Sequence, residues 1–383
     1  RGSFSLGSAD ADRVKNGVLT IGASMDAAGT NSWDGKTLTQ PQTDENGVYQ
    51  IGTGAELAWF AANGGEASAV LTADIELAGC DWTPMSKLYG SFDGQGHVIR
   101  NLYVNKASHP LGLFGYLQSG ASVTRLGVTG DVICSAKSSA QAGGIAGYMN
   151  DKSTVTQCWS AVNVTTAKHG GGIAGYAANG AAITDCYATG TIRTTAANEC
   201  YLGGIVGAGF SRTAGATLTN CYTTSTVIGS GNTASYVGGL SAVSAEAKYV
   251  NSYYLTGSVS GGSPKYGVTG LGVAKTADEL KALAETLGGS FAADPRGKLN
   301  SGYPILTWQV VDIPVIPGDV NDDGTVDDAD AAMVYAFVNA KLTPNDLQSA
   351  AADVNGDGKI TAADAELIYA FYLGEIKSLT ANN

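Results

Sequence analysis

Two short phrases recur through the middle of the chain, and their spacing constrains the fold more than any other feature. The first reads Gly-Gly-Ile-Ala-Gly-Tyr at 143–148 and 171–176, with partial copies from 111, 203 and 238. The second places a polar residue before a cysteine and an aromatic residue, and its copies begin at 157, 185, 220 and 251. The cysteine positions, the last of them a serine, are 28, 35 and 31 residues apart. An irregular period near thirty residues predicts a solenoid of stacked coils with short strands.

These phrases resemble the GLUG repeats of bacterial surface and secreted proteins, over about 111–260. The phrase at 90–99, with its Asp-Gly-Gln-Gly-His, is similar to the opening coils of secreted parallel β-helices. The resemblance implies a mainly β fold, a right-handed parallel β-helix. A β-sandwich stays open as the alternative, although it would not require the same phrase in every strand pair.

If each phrase lies above its copy in the preceding coil, its residues form columns at a strand spacing of about 4.8 Å. An aliphatic core column is expected from Ile145, Ile173, Ile205 and Leu240. A ladder of polar side chains at one corner is expected from Gln157, Asp185, Asn220 and Asn251. The cysteines of the phrase, which lack a Cys-x-x-Cys or His partner nearby, are expected to be buried apolar residues and not zinc ligands: Cys158, Cys186 and Cys221.

An aromatic residue follows each cysteine position, and these residues form a column of their own: Trp159, Tyr187, Tyr222 and Tyr253. Neighbouring residues of a strand point to opposite faces, so these rings face outward if the cysteines face inward. Such a face can stack on sugar rings or on a partner protein. In the alternative interpretation, the rings turn onto the protein or lie under a loop.

The last sixth of the chain contains one acidic pattern twice, and this pattern is typical of calcium-binding loops. A calcium ion takes roughly six to eight oxygen ligands, which a twelve-residue loop supplies from positions 1, 3, 5, 7, 9 and 12, position 7 through its backbone carbonyl. In the first loop these positions are Asp319, Asn321, Asp323, Thr325, Asp327 and Asp330. In the second loop they are Asp353, Asn355, Asp357, Lys359, Thr361 and Asp364. We therefore expect two calcium ions.

An apolar helical segment follows each loop at a constant offset of 34 residues. No helix is expected before either loop, since Pro314 and Pro317 precede the first. This loop–helix repeat resembles a dockerin over about 319–374, and the resemblance implies a cohesin module of a scaffold protein as partner. It places the contacts at loop positions 10 and 11 and on the following helix, at Asp328, Ala329, Val334, Tyr335, Ala362, Ala363, Ile368 and Tyr369.

The two copies of this repeat are nearly symmetric, which suggests that a cohesin can bind in two orientations. Tyr335 corresponds to Tyr369, whereas Asp328 corresponds to Ala362. The unequal pair suggests that one orientation is preferred.

Charge is concentrated at the same end of the chain. Residues from 313 onward carry −9 of the net charge of −12, so we expect this segment to fold only with bound metal. No basic stripe is present, which argues against a nucleic-acid partner. No apolar run approaches the ~18–20 residues of a membrane helix, so membrane insertion is not expected.

We divide the chain into a β-helix domain at 1–312 with an N-terminal capping region, a Pro-rich linker at 313–318 and a dockerin at 319–383. Capping boxes predict short helices after Thr53 and Thr276, and the second helix is expected to close the last coil. The chain starts at Arg1 without a methionine, and we expect an export signal to lie outside this sequence. The location implied is secreted, extracellular or attached to the cell surface.

Two functions of different class follow. The first is a non-catalytic secreted module that binds or displays a ligand, such as a polysaccharide or host glycan, and is anchored through the dockerin. The alternative is a polysaccharide-degrading lyase or glycoside hydrolase on the β-helix, which would need convergent acids or bases. The acids of 111–260 do not recur in one column, and Asp93 near His97 is explained equally well by a tight glycine corner, so no catalytic residue is assigned.

Overall fold

The computed structural model describes residues 32–136, 139–194, 199–209, 215–230, 235–242, 248–262, 272–294, 297–310 and 315–379. Residues 1–31 of the predicted capping region, together with Ile313 and Pro314 of the predicted linker, lie outside the described residues. Within the described ranges, no helix combines the length and apolarity that crossing a bilayer requires.

The fold is mainly β, and its largest part is a solenoid in which successive coils add strands to four sheets. Sheet 1 contains Gln42–Thr43, Tyr49–Ile51, Ala69–Leu71, Ser91–Asp93, Ser122–Thr124, Thr154–Thr156, Ala182–Thr184, Thr217–Thr219 and Lys248–Val250. Sheet 2 contains Ile75–Glu76, Val98–Lys106, Gly127–Cys134, Trp159–Thr166, Tyr187–Ala188, Thr191–Thr194, Tyr222–Thr223, Thr226–Ile228, Tyr253–Leu255, Val259–Ser260 and Val273–Lys275. Sheet 3 contains Met85–Leu88, Phe114–Leu117, Ala146–Met149, Ala174–Ala177 and Val206–Ala208. Sheet 4 contains Gln141–Gly143, His169–Gly171, Cys200–Gly203 and Ser235–Gly238.

Parallel pairing between coils confirms the solenoid and excludes the β-sandwich alternative. Described strand pairs in these sheets are parallel, except for the first pair of sheet 1. The repeated phrases lie in register: the N–H of Ile145 donates to the carbonyl of Ile173 at 3.0 Å, and that of Ile173 donates to Ile205 at 2.9 Å. The aliphatic column is fully buried, as predicted.

Glycine is required at the corner between sheets 4 and 3, because the next coil approaches too closely for a side chain. A Cβ atom at Gly144, Gly172 or Gly204 would lie 2.4–2.5 Å from a glycine carbonyl oxygen of the following coil. Contacts this short exclude any larger residue without a backbone shift. The recurring Gly-Gly pair therefore marks a corner at which successive coils approach too closely for a side chain.

The cysteine column is confirmed. The polar ladder is confirmed for Asp185, Asn220 and Asn251, whereas Gln157 donates to the hydroxyl of Ser290 at 3.0 Å. Cys158, Cys186 and Cys221 are free thiols with 0% exposure, and the N–H of Cys158 donates to Sγ of Cys186 at 3.4 Å. The polar residue directly before each cysteine position has a left-handed backbone in all four copies. Its φ lies between +47° and +53° at Gln157, Asp185, Asn220 and Asn251. Asn220 donates to Asp185 and Asn251 donates to Asn220, each at 2.9 Å.

Helix α1, Gly54–Asn63, packs on the first coils and begins at the predicted capping box of Thr53 and Glu56. The box at Thr276 and Glu279 is also present, but it begins two short helices, α2 at Ala277–Lys281 and α3 at Ala284–Leu287. An antiparallel pair of strands, Phe291–Ala292 and Ile305–Leu306, and a 3-10 turn at Thr307–Gln309 follow. We name the described residues 277–294 and 297–309 the strap.

The strap lies along the side of the solenoid. Its buried residues Leu280, Leu283, Leu287, Phe291 and Leu306 form one cluster with Tyr187 and Tyr222 of two successive coils. This helical segment contacts the late coil as expected, at Tyr253 and Leu255, and its apolar face also covers the aromatic column of earlier coils.

Three helices form the C-terminal segment: α4 at Asp328–Val338, α5 at Asp346–Ala352 and α6 at Ala362–Tyr372. Helices α4 and α6 follow the acidic loops as predicted. Helix α5 was not predicted. It begins at a capping box formed by Asn345 and Gln348 and ends directly before the second loop. The expectation that neither loop has a preceding helix is therefore wrong for the second loop.

Candidate functional site

The two acidic loops share one backbone conformation. Position 4 of each loop is left-handed, with φ +63° at Asp322 and +72° at Gly356, and so is position 6, with +91° at Gly324 and +79° at Gly358. Equal conformations at a 34-residue offset show that the sequence repeat is also a structural repeat. Glycine at position 6 relieves the strain that a side chain would cause there.

The acidic side chains of the first loop fold inward onto the loop backbone. Oδ2 of Asp319 accepts the N–H of Gly324 at 3.0 Å, and Oδ1 of Asp323 accepts the N–H of Thr325 at 2.8 Å. Oδ1 of Asp330 accepts the N–H groups of Val320 and Asn321 at 2.7 and 2.9 Å. Asp330 is fully buried, and burial raises its pKa.

The second loop repeats these contacts. Oδ2 of Asp353 accepts the N–H of Gly358 at 2.9 Å, and Oδ1 of Asp357 accepts the N–H of Lys359 at 2.9 Å. Oδ2 of Asp364 accepts both the N–H of Thr361 at 2.9 Å and its hydroxyl at 3.1 Å. Each position-12 aspartate is therefore also the third residue of the following helix. It forms a capping box with position 9, which is the N-cap.

The donor set fits a calcium ion. Its ligand atoms are carboxylate, amide, hydroxyl and carbonyl oxygens, which a hard cation prefers. Oδ1 of Asp319, at position 1, is buried and accepts no hydrogen bond in the described part of the chain, so a cation would satisfy it. Among the described residues, no group of three or more His, Cys, Asp or Glu side chains converges in a way that could hold a metal ion.

The predicted partner-binding residues divide into an exposed and a buried set. Asp328, Ala329 and Ala363 are exposed, Ala362 is half-buried, and the rings of Tyr335 and Tyr369 are 41% and 46% exposed. Val334 and Ile368 are 0% exposed in the core of the segment. We therefore correct their assignment: they lie three residues after buried Ala331 and Ala365, on the inward stripe of each helix.

A groove of about 340 Å³ lies between α4 and α6. It is lined by Asp328, Ala331, Ala332, Tyr335, Glu366 and Tyr369. The groove thus contains both exposed tyrosines of the predicted contact face and one acidic residue from each helix.

The predicted outer aromatic face is covered. Trp159, Tyr187 and Tyr222 stack with centroid distances of 6.0 and 5.2 Å, but Tyr187 and Tyr222 are only 2% and 0% exposed beneath the strap. Strap residues bind their hydroxyls: Tyr187 donates to Gln309 at 3.0 Å, and Tyr222 donates to the carbonyl of Pro304. Tyr222, Trp159 and Tyr253 all contact the strap cluster. The prediction that this column forms a free ligand face is therefore wrong. The structure agrees with the alternative interpretation, in which the rings turn onto the protein or lie under a loop.

A different set of aromatic rings lies outside the strap, on the outer faces of sheets 3 and 4. Tyr116, Tyr148 and Tyr176 form one file, in which Tyr148 and Tyr176 stack at 4.9 Å. His169, Tyr201 and Tyr236 form a second file, stacked at 5.2 and 4.7 Å. All five tyrosines are half-buried, and His169 meets Tyr176 edge to face at 5.3 Å. The signal for the first file was available in the sequence, as the tyrosine that ends the Gly-Gly-Ile-Ala-Gly-Tyr phrase.

The charged residues of the early coils form ion pairs. His97 lies 3.2 Å from Asp74, which also pairs with Arg100 at 2.8 Å. Asp93 pairs with Arg125, which holds the pKa of the Asp93 carboxyl below its usual range. The predicted neighbours Asp93 and His97 therefore have separate partners, which favours the structural interpretation of this glycine corner.

Comparison with known proteins finds a family match in the solenoid and another in the C-terminal segment. Residues 317–371 match the family model of the dockerin type I domain, and residues 166–193 match the GLUG motif. A solved structure described as a "putative immunoglobulin A1 protease from Bacteroides ovatus" is similar with a TM-score of 0.52 and 22% identity, over 71% of this chain and 96% of that chain. At this identity the likeness shows the fold alone. No curated protein is significantly similar to the chain.

The dockerin match implies anchoring through a cohesin module. Modules of this type typically bind calcium and occur in extracellular proteins.

Proposed function

We propose that this chain is a non-catalytic secreted protein whose solenoid binds or displays a ligand and whose C-terminal segment holds it on an extracellular or cell-surface scaffold. The division is a solenoid at 1–312, a linker at 313–318 and a dockerin at 319–383. The observation that supports this most is the pair α4 and α6, which presents Tyr335 and Tyr369 to solvent within residues that match dockerins.

Two calcium ions, one in each loop, would be held by the oxygens of positions 1, 3, 5, 7, 9 and 12. When bound, each ion supplies positive charge that offsets the acidic loop. The loop residues connect ion binding to the contact face. Position 9 is the N-cap of the following helix, and position 12 is the third residue of that helix and closes its capping box. Ordering a loop therefore orders the first turn of α4 or α6, where Asp328 and Ala362 stand.

The ligand of the solenoid, a polysaccharide or host glycan, would contact the tyrosine files of sheets 3 and 4. These rings are half-buried, whereas Tyr187 and Tyr222, in the middle of the column from Trp159 to Tyr253, are fully buried against the strap. The ring faces within a stack cover one another, so a ligand meets ring edges and hydroxyls over most of each file. At the end of its file, Tyr116 is tilted by 47° from Tyr148 and lies in register with Lys87 of the preceding coil.

Binding of the full chain to purified cohesin modules, with calcium and then with excess chelator, tests the anchoring. We expect binding in calcium and loss in chelator. A calcium-loaded, folded chain that binds no cohesin from its own genome would contradict the proposal.

Incubation of the full chain with plant, starch and mucin polysaccharides, followed by mass spectrometry, tests the catalytic alternative. We expect no new oligosaccharides, because Asp74 and Asp93 are held in ion pairs with Arg100 and Arg125, and Asp185 accepts hydrogen bonds from Asn220 and Ser290. Release of products in calcium would instead identify the solenoid as an enzyme delivered by the dockerin. Heat-denatured chain is the control for spontaneous hydrolysis.

A further inference from the structure

The charged side chains on the contact face of the C-terminal segment, formed by α4 and α6, are all acidic. Neither α4 nor α6 contains a lysine, arginine or histidine. Their acidic residues are Asp330 and Asp364, which are buried, and Asp328 and Glu366, which are exposed and line the groove between the helices. The groove therefore carries two negative charges and no positive charge from its own helices.

The groove also places these charges beside aromatic rings. Tyr335 and Tyr369 line it together with the small residues Ala331 and Ala332, which leave room for a side chain of a partner. A carboxylate attracts a cation, and the face of a tyrosine ring attracts it further. A partner that presented an acidic or purely apolar residue here would leave both carboxylates partly desolvated without compensation, which costs binding energy.

We propose that the α4–α6 groove receives a lysine or arginine side chain of the cohesin, held by Asp328 and Glu366 and flanked by the two tyrosines. This inference rests on the proposed cohesin anchoring and names the chemistry that selects the partner. The groove volume of about 340 Å³ accommodates a long side chain, and the net charge of −9 from residue 313 onward favours approach of a basic surface.

The asymmetry of the repeat localises the charge. The 34-residue offset relates Asp328 to Ala362 and Glu366 to Ala332, so neither acid has an acidic counterpart in the other copy. The two groove acids are therefore not part of the repeated pattern. Each helix contributes one acid at a position where the other helix has alanine.

The test uses the full calcium-loaded chain and the purified cohesin modules encoded in the genome that encodes it. Asp328→Asn and Glu366→Gln remove one charge each with little change in shape. Glu375→Gln is the matched control, because Glu375 is exposed, follows α6 and does not line the groove. Helix content measured by circular dichroism confirms that each variant is folded.

We expect each groove variant to weaken cohesin binding about tenfold, as loss of a close charge pair does. Glu375→Gln should leave the affinity unchanged, and replacing the contacting lysine or arginine of the cohesin by glutamine should abolish the difference between wild type and the groove variants.

Two results would overturn the inference while leaving the anchoring intact. One is tight binding of a cohesin with unchanged affinity in both groove variants. The other is an equal loss in Glu375→Gln, which would indicate general charge attraction. Failure of the folded, calcium-loaded chain to bind any of these cohesins would overturn the anchoring and the inference together.

Discussion

Removal of calcium should unfold the C-terminal segment while the solenoid stays folded. The segment has a small core, in which four of the nine fully enclosed apolar residues are alanines, so little apolar surface is buried. Its net charge from residue 313 onward is −9, and two calcium ions would offset about half of it. Without the ions, self-repulsion acts on a core that is too small to resist it.

The expected signal can be worked from the helices. Helices α4, α5 and α6 contain 11, 7 and 11 residues, whereas α1, α2 and α3 contain 10, 5 and 4. Excess chelator should therefore remove more than half of the helical circular dichroism of the full chain, and calcium should restore it. The β signal of the solenoid should not change.

Asp319→Asn and Asp328→Asn form a matched pair that assigns the effect to the loop. Asp319 is the position-1 residue with a buried unpaired Oδ1, whereas Asp328 is exposed on the next helix. At a calcium concentration 100 times the dissociation constant, a bound ion stabilises the segment by about 2.7 kcal/mol. Asp319→Asn should lose nearly all of this stabilisation at the first loop and should therefore need more calcium to fold. Asp328→Asn should fold at the same calcium concentration as the wild type.

The reasoning is refuted if the full chain keeps its complete helical signal in excess chelator. It is also refuted if Asp319→Asn and the wild type fold at the same calcium concentration.

Two further predictions concern the solenoid. Tyr222→Phe should destabilise it by about 0.5–1.5 kcal/mol in denaturant unfolding, because the hydroxyl's bonds to the Pro304 carbonyl and the Asn300 amide are lost while these two groups stay bonded to each other. Tyr116→Phe should change the stability by less than about 0.5 kcal/mol, and equal effects would contradict the role of the strap. Burial lowers the pKa of His169 from 6.5 to about 4, so the folded state disfavours its proton. Stability should therefore be lost as the pH falls from about 6.5 towards 4, by about 2 kcal/mol between pH 7 and 5, and identical pH profiles of His169→Gln and the wild type would contradict this.

The repeated phrases predicted the solenoid because their residues contact their own copies. Cys158 lies against Cys186, and Trp159 pairs in register with Tyr187, so a column read in the sequence is also a column of contacts. The loops were predictable for a related reason: their ligand positions and glycines are local, and both copies adopt the same backbone.

The covering of the aromatic column was not predictable from the repeat. The apolar stripe of Leu280, Leu283 and Leu287 indicated a helix, but no local pattern specifies which distant surface a helix covers. The contact between Trp308 and the carbonyl of Gln157 spans 151 residues. Val334 and Ile368 were misassigned for a simpler reason, since the apolar stripe of a small helical module faces its own core before it can face a partner.

The unequal pair Asp328 and Ala362 gives the last prediction, which concerns the orientation of the cohesin. If the acid at position 10 of the first loop selects one orientation, blocking α4 with Ala329→Trp and blocking α6 with Ala363→Trp should weaken binding unequally. In a chain that carries both Asp328→Ala and Ala362→Asp, the order of the two effects should be reversed, because the acid has moved to the other helix. A tenfold difference in the affinity of the full chain corresponds to about 1.4 kcal/mol, which is near the lower limit of about 1.5 kcal/mol for one close charge pair. Equal effects of the two blocks in both backgrounds would show that Asp328 does not set the orientation, and unchanged affinity in Asp328→Ala would give the same answer.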